Sequence, residues 1–245
     1  MNKIVLLGTG GGPRIWSQRS QPSSALVIED DIYIIDTGDG VCNQLANANL
    51  DPEKIKAIFI THNHSDHVAD FGTLLLRTWQ SGHKGKIQCY GPTPLRSIID
   101  SYKEYMKWDI ELRIREENRP DFETIFNVNE IEKDSHIYKD KNISVECITV
   151  PHAAAKPSFA YKFKLENKFV VFSGDTSKSE KLIKFALNSE YLIHEVLNLE
   201  GVDAIIEKTY PGNEAFKKHI INGHTSIEEV GYVAKKSNVK NLILN

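Results

Sequence analysis

Short apolar runs of β-forming residues punctuate the chain. Residues 4–7, 25–28 and 32–35 open it, the last two joined by an acidic turn around Asp30 and Asp31, and their composition predicts a strand-rich start. Helical spacing follows at 41–49 and 71–79, on either side of the apolar run 57–61, which reads as a buried strand. A strand at 87–90 and a helix over 94–106 come next, while 108–141 is charged and only weakly periodic, so no element is assigned there. The pattern sharpens again with a strand over 143–150 that ends at Pro151-His152. Two strands, 159–165 and 169–172, are then joined by a turn at Glu166-Asn167-Lys168. A helix over 178–187, a strand over 191–196, helices over 214–221 and 226–236 and a strand at 241–244 complete the series. Strands and helices recur in both halves without a Pro/Gly/Ser-rich linker, so the economical expectation is a single α/β domain over 1–245.

Composition narrows the class. With 245 residues, 40% of them hydrophobic and 26% charged, the chain is long enough to bury a sizeable core. A formal charge of −3 and a pI near 6.3 give no electrostatic footprint for a nucleic-acid polyanion, although a local basic patch could sit inside that sum. Cys42, Cys89 and Cys147 are odd in number and lack Cys-x-x-Cys spacing, which argues for reduced thiols rather than a disulfide framework. The first apolar run is too short for a signal-peptide core and no stretch of about 18 apolar residues occurs. A cytoplasmic protein with no membrane partner is expected.

The chemistry concentrates in His62-Asn63-His64-Ser65-Asp66-His67, directly after the buried run. Zinc is held by neutral histidine nitrogens and carboxylate oxygens at about 2.0–2.2 Å, so ligands must converge from a sharply bent segment or from separate elements. In extended backbone His62 and His64 point the same way and can share one ion, and the following bend turns Asp66 and His67 toward a second. Two other motifs are decoys. Gly8-Thr9-Gly10 lacks the third glycine and the helix of a dinucleotide turn, and Asp36-Thr37-Gly38 has no second copy to form an aspartic dyad. His83, His136 and His219 stand alone in polar context.

His-x-His-x-Asp-His after a buried strand resembles the signature of the metallo-β-lactamase-fold hydrolases, most closely the branch of ribonuclease Z and the shorter zinc arylsulfatase-like and phosphodiesterase-like enzymes. The similarity extends through Leu7-Gly8-Thr9-Gly10-Gly11, the segment Ile35 to Gly40, Pro151-His152, Ser173-Gly174-Asp175-Thr176, Ile193-His194-Glu195 and Gly223-His224-Thr225-Ser226. The resemblance implies an αββα four-layer sandwich holding two Zn2+ per chain, with Mn2+ or iron as alternatives. His62, His64 and His152 would hold the first ion, Asp66 and His67 the second, and Asp175 would bridge them. Alone, His152 would read as a surface histidine and Gly174-Asp175 as a turn. Asp36 is implied as a support for the metal loop. In this branch a further histidine follows the last strand, whereas the sequence stops at Asn245, so the C-terminus is expected to be truncated or His224 to substitute, with weaker occupancy of the second site.

His224 matches a non-ligand histidine that contacts the scissile group, and it also precedes Ser226, which with Glu229 forms a capping-box pattern; both readings can hold. His194-Glu195 could orient that imidazole or be a buried, satisfied pair. The implied reaction is ester hydrolysis by a hydroxide held between two metals, with Asp66, His224 and Glu195 as the catalytic set. Ribonuclease Z carries an RNA-gripping arm between the third ligand and the bridging aspartate, and here Asp175 follows His152 by only 23 positions. The expected substrate is therefore a small anionic sulfate ester or phosphodiester, ahead of tRNA 3′-processing or a lactone or carboxylic ester. A homodimer stays open. Arg113, Arg115 and Arg119 read as a solvated face, with Arg119 able to reach an anion, and Arg14, Arg19 and Lys156 are equally speculative candidates for an anion contact.

Overall fold

The computed structural model describes residues 2–245. The chain divides into two compact units, Met1–Glu132 and Lys133–Asn245, each built on one six-stranded mixed sheet.

In the first unit β1 (Lys3–Gly8), β2 (Ser23–Ile28) and β3 (Asp31–Ile35) form an antiparallel meander. After α1 (Val41–Asn47) the sheet turns parallel through β4 (Ile55–Phe59), β5 (Ile87–Pro92) and β6 (Phe126–Ile131), in the spatial order β1-β2-β3-β4-β5-β6. Between these strands run α2 (Ser65–Val68), α3 (Phe71–Gln80) and α4 (Leu95–Glu117). Parallel strands covered by crossover helices lose the polar face that alternation would give them. β4 accordingly exposes only Lys56, and β2, antiparallel to both of its neighbours, is likewise buried at all six residues. Ile34, Ile58, Phe71, Leu75, Trp79 and Ile99 anchor this unit's core.

The charged stretch left unassigned is largely ordered. Helix α4 runs on to Glu117, although only Leu95, Ile99 and Ile110 on it are buried. Arg113 pairs with Asp109 at 3.0 Å and with Glu117 at 2.8 Å, one turn away on either side. Such pairs support a helix that has little apolar face to bury. Arg119 is not a candidate for a substrate anion: its guanidinium donates to the Trp79 and Gln80 carbonyls at 3.1 and 2.8 Å and pairs with Glu117. His83, expected in polar context, is buried, with Nδ1 3.1 Å from the Glu53 carbonyl, and burial lowers its pKa.

In the second unit β7 (Ser135–Lys139), β8 (Ser144–Val150), β9 (Ser158–Leu165) and β10 (Lys168–Phe172) pair antiparallel in sequence order. Then β11 (Tyr191–His194) and β12 (Asn241–Leu244) add in parallel, giving β12-β11-β10-β9-β8-β7. The helices are α5 (Glu180–Phe185), α6 (Leu199–Thr209), α7 (Glu214–Gly223) and α8 (Ile227–Ser237). Ile148, Ala160, Val171, Leu182, Leu192 and Val233 form a core between the sheet and α5 and α8. Ser226 caps α8 in a full capping box with Glu229. Among the described residues no helix is long and apolar enough to cross a membrane.

Candidate metal centre

In the first unit the donors follow from the way β4 ends. Its last residue, Phe59, still pairs with Tyr90, and the Ile60 N–H reaches the Tyr90 carbonyl at 2.7 Å. The chain then leaves the sheet extended through His62 to His64 and winds into α2 at Ser65. The Asn63 side chain pins this bend by donating to the carbonyls of Pro92 and Thr93, both at 3.1 Å. His62, Asp66 and His67 are buried and His64 is half-buried.

Asp36 organises the nitrogens. It lies just past β3 in left-handed backbone, φ 58°, a conformation that aspartate tolerates better than most residues. Its Oδ1 accepts the Thr61 N–H at 2.7 Å, and its Oδ2 accepts the Thr61 hydroxyl at 2.9 Å and lies 2.9 Å from His67 Nδ1. A carboxylate accepts, so His67 carries its proton on Nδ1 and presents a lone pair at Nε2. Because the Thr61 proton goes to Asp36, the Thr61 oxygen accepts from His62 Nδ1, 3.0 Å away, and His62 likewise presents Nε2. One buried carboxylate thus sets two tautomers, as carboxylates behind ligating histidines commonly do. Burial raises the Asp36 pKa, opposed by His67 and Thr61. Gly38 allows the same loop to close on the bend: a Cβ there would stand 2.3 Å from the Asp66 carbonyl oxygen. Thr37 ties the two segments together, its N–H donating to the His67 carbonyl at 2.8 Å and its own carbonyl accepting from Asp70 N–H at 2.9 Å.

These donors fit a zinc-type cation. His62 Nε2 and His64 Nδ1 are 3.0 Å apart, close to the roughly 3.4 Å edge of a tetrahedron of nitrogens around zinc. His67 Nε2 is 3.7 Å from Asp66 Oδ2. Neutral imidazoles beside a buried carboxylate are the donor chemistry such a cation takes.

In the second unit the donors come from three separate places. His152 follows β8, Asp175 follows β10, and His224 ends α7. The donor atoms of these three all lie within 4.8 Å of one another. His152 is buried and its Nδ1 is 2.7 Å from the Gly223 carbonyl, so it donates there and offers Nε2, which is 3.9 Å from Asp175 Oδ2. His224 Nδ1 is 3.2 Å from Glu195 Oε1 and 3.9 Å from Asp175 Oδ2. Glu195 also accepts the N–H groups of Thr176 at 2.9 Å and Thr225 at 3.2 Å. Burial pushes the Glu195 carboxyl up to about 7, and the bond to His224 pulls the other way. Of the pair weighed for orienting His224, Glu195 makes the contact. His194 instead sets its Nδ1 2.7 Å from the Glu195 carbonyl, and burial takes its pKa down to about 4, so it stays neutral.

Thr61, Thr176 and Thr225 are supports that spacing alone did not disclose. Each lies one residue from a candidate ligand or from the histidine beside it. That adjacency is the only signal the sequence carries for them.

The match to known proteins spans nearly the whole chain. Residues 2–241 fit the family model described as Anti-Pycsar protein Apyc1. A ribonuclease Z of Mycolicibacterium gilvum is 25% identical over 247 residues, covering 100% of this chain and 83% of that protein. Among solved structures, the short form of human tRNase Z superposes with a TM-score of 0.76 at 23% identity, covering 100% of this chain and 92% of that one. The metallo-β-lactamase-fold protein YhfI of Bacillus subtilis superposes with a TM-score of 0.70 at 20% identity, covering 99% and 84%. The two mixed sheets with their helices are therefore those of the metallo-β-lactamase fold, and the donor sets make the chain a metallo-hydrolase. It belongs to the Anti-Pycsar protein Apyc1 family, within the ribonuclease Z branch of the metallo-β-lactamase superfamily.

Proposed function

We propose that the chain is a zinc-dependent phosphodiesterase in which His62, His64 and His152 would hold one ion, Asp66 and His67 a second, and Asp175 would serve both. Bound together, two such ions supply a water-derived nucleophile at neutral pH and neutralise charge on the ester oxygens. Asp66 orients that nucleophile. His224 delivers a proton to the departing oxygen, a role for which Glu195 positions it: Oε1 lies 3.2 Å from Nδ1 and fixes the orientation of the ring. Glu195 is a positioning residue, held by two backbone N–H groups and by its burial.

The observation that carries the reading is the Asp36–Thr61 relay, which orients two ligand nitrogens at the cost of burying a carboxylate. A phosphodiester is favoured over the sulfate ester expected from the sequence because the relatives are named ribonuclease Z. Those relatives support an RNA diester bond. A second reading, a small nucleotide diester, is supported by the interval after His152, which holds only the β9–β10 hairpin where ribonuclease Z has its RNA-gripping arm.

The test is a panel of bis(p-nitrophenyl) phosphate, p-nitrophenyl sulfate and an RNA with a 3′ trailer, each assayed with added zinc. Diester hydrolysis without sulfate release is expected. Preference for the sulfate, or no diester turnover, overturns the proposal. RNA cleavage against small-diester cleavage decides between the two substrates.

A further inference from the structure

Helix α7 carries little stability of its own. Of its residues only Gly223 is buried, while Phe216, Lys217 and Ile220 are half-buried. It leans on α6 through the Phe216 ring, 5.4 Å from the Tyr210 ring, and through Lys217 Nζ, 2.6 Å from Asp203. Asn213 caps it by accepting the Phe216 N–H at 3.0 Å. Helix α8, by contrast, sinks Val230, Val233 and Ser237. Short helices are marginal in water, and elements with few buried apolar contacts open at small free-energy cost.

The last residue of α7 nevertheless serves the second donor set. The Gly223 carbonyl belongs to the C-terminal carbonyls that a helix leaves without an internal partner. It accepts from His152 Nδ1 at 2.7 Å, which leaves Nε2, 3.9 Å from Asp175 Oδ2, as the ligand atom. Aligned peptide dipoles add partial negative charge at that end, which strengthens the bond and makes Nε2 a better donor to a cation. Glycine eases the approach: a Cβ at 223 would stand 3.3 Å from His152 Nδ1 and 3.4 Å from the Ala153 Cβ. Glycine is also the residue whose carbonyl direction the backbone constrains least. Past it the chain is tied independently, the Thr225 N–H to Glu195 Oε1 at 3.2 Å and the Thr225 hydroxyl to the Thr176 carbonyl at 2.5 Å. Helical order in α7 therefore decides where the Gly223 carbonyl points, and with it His152.

We infer that α7 is the positioning element of His152: its helical order and a zinc ion on His152 stabilise each other, so the helix tightens the ion and the ion orders the helix. The reciprocity is thermodynamic, since a helix that favours the bound state must itself be favoured by binding. The inference rests on the reading of His152 as a metal ligand.

The test is hydrogen exchange of the purified full chain, stripped of metal and then loaded with zinc, read by mass spectrometry over residues 214–223. Zinc is expected to slow exchange there by about fivefold or more, while residues 227–237 of α8 change by less than about twofold. In H152A the zinc response of 214–223 should be lost. K218G/H219G and K218A/H219A alter two exposed positions and bracket the order of the helix, because glycine disfavours it and alanine favours it. A competitive chelator titration should find zinc bound about fivefold or more weakly in the glycine pair than in the alanine pair, and the same two exchanges at Lys235 and Lys236 of α8 should differ by less than about twofold. Zinc uptake with unchanged exchange over 214–223, a response that survives in H152A, equal affinity in the glycine and alanine pairs, or an equal loss from the α8 pair overturns the inference and leaves the metal reading standing. A chain that takes up no zinc overturns both.

Discussion

The two donor sets solve one problem in opposite ways. In the first unit the candidate ligands are neighbours in sequence, delivered by a single strand end, and their orientation is set from behind by Asp36. In the second unit the candidates are drawn from the ends of two strands and a helix, and each is fixed by its own partner: Gly223 for His152, and Glu195 for His224. The first arrangement concentrates control in one carboxylate. The second spreads it across backbone segments that are distant in sequence and that meet at Glu195. Damage to the support should therefore silence several ligands at once in the first unit and one function at a time in the second.

Removing a ligand gives the largest effect. His64→Ala should lower kcat/KM on the order of a thousandfold and reduce bound zinc per chain, with the circular-dichroism spectrum unchanged. Retained turnover would remove the donor bend from the chemistry. The support comes next. Asp36→Ala should weaken zinc binding about 10–100-fold, because the tautomers of His62 and His67 lose their anchor together. Asp36→Asn, which keeps a side chain suited to left-handed backbone, separates that loss from misfolding. If a competitive chelator titration finds unchanged affinity in both variants, the concentrated-control picture fails.

Glu195→Gln should leave zinc content intact and lower kcat by about tenfold or more, because a neutral amide still accepts the Thr176 and Thr225 N–H groups but holds His224 Nδ1 less firmly than a carboxyl oxygen that can carry charge. Loss of metal instead of rate would mean that Glu195 supports ligands as Asp36 does, and the contrast between the units would disappear. The smallest effect belongs to Ser226→Ala, which removes the cap of α8 and should cost about 1 kcal/mol, seen as a fall of a few degrees in Tm with activity unchanged.

The same contrast explains what the sequence could reveal. The donor bend was legible because its ligands and the apolar strand before them form one local pattern, and the α8 capping box was legible for the same reason. Helix α4 beyond Met106 was not, because its stability comes from ion pairs such as Arg113 with Asp109 rather than from an apolar stripe. Strand β6 escaped because it pairs along one side only with β5, and its alternation lasts only from Phe126 to Asn129 before Glu130 and Ile131 reverse it. Helix α6 escaped as well; it starts from Asn198 as its cap and carries Gly201 in its first turn. The position of His152 and Asp175 as candidates came from family resemblance, since neither a lone histidine after a proline nor a glycine-aspartate turn carries a metal signal by itself. The role of Asp36 in setting tautomers needed coordinates, because the relay runs through a threonine hydroxyl 25 positions away in the chain.

The hydrogen bond that closes the loop from Gly10 to Ser20 sets its exposed tip apart from the backbone that carries Asp36 and the histidines. Everything on the tip side can be rewritten as a cassette, while Asp36 and the histidines stay on rigid backbone outside it. Substitutions confined to residues 11–19 should therefore leave the contacts of Asp36 with Thr61 and His67 as they are.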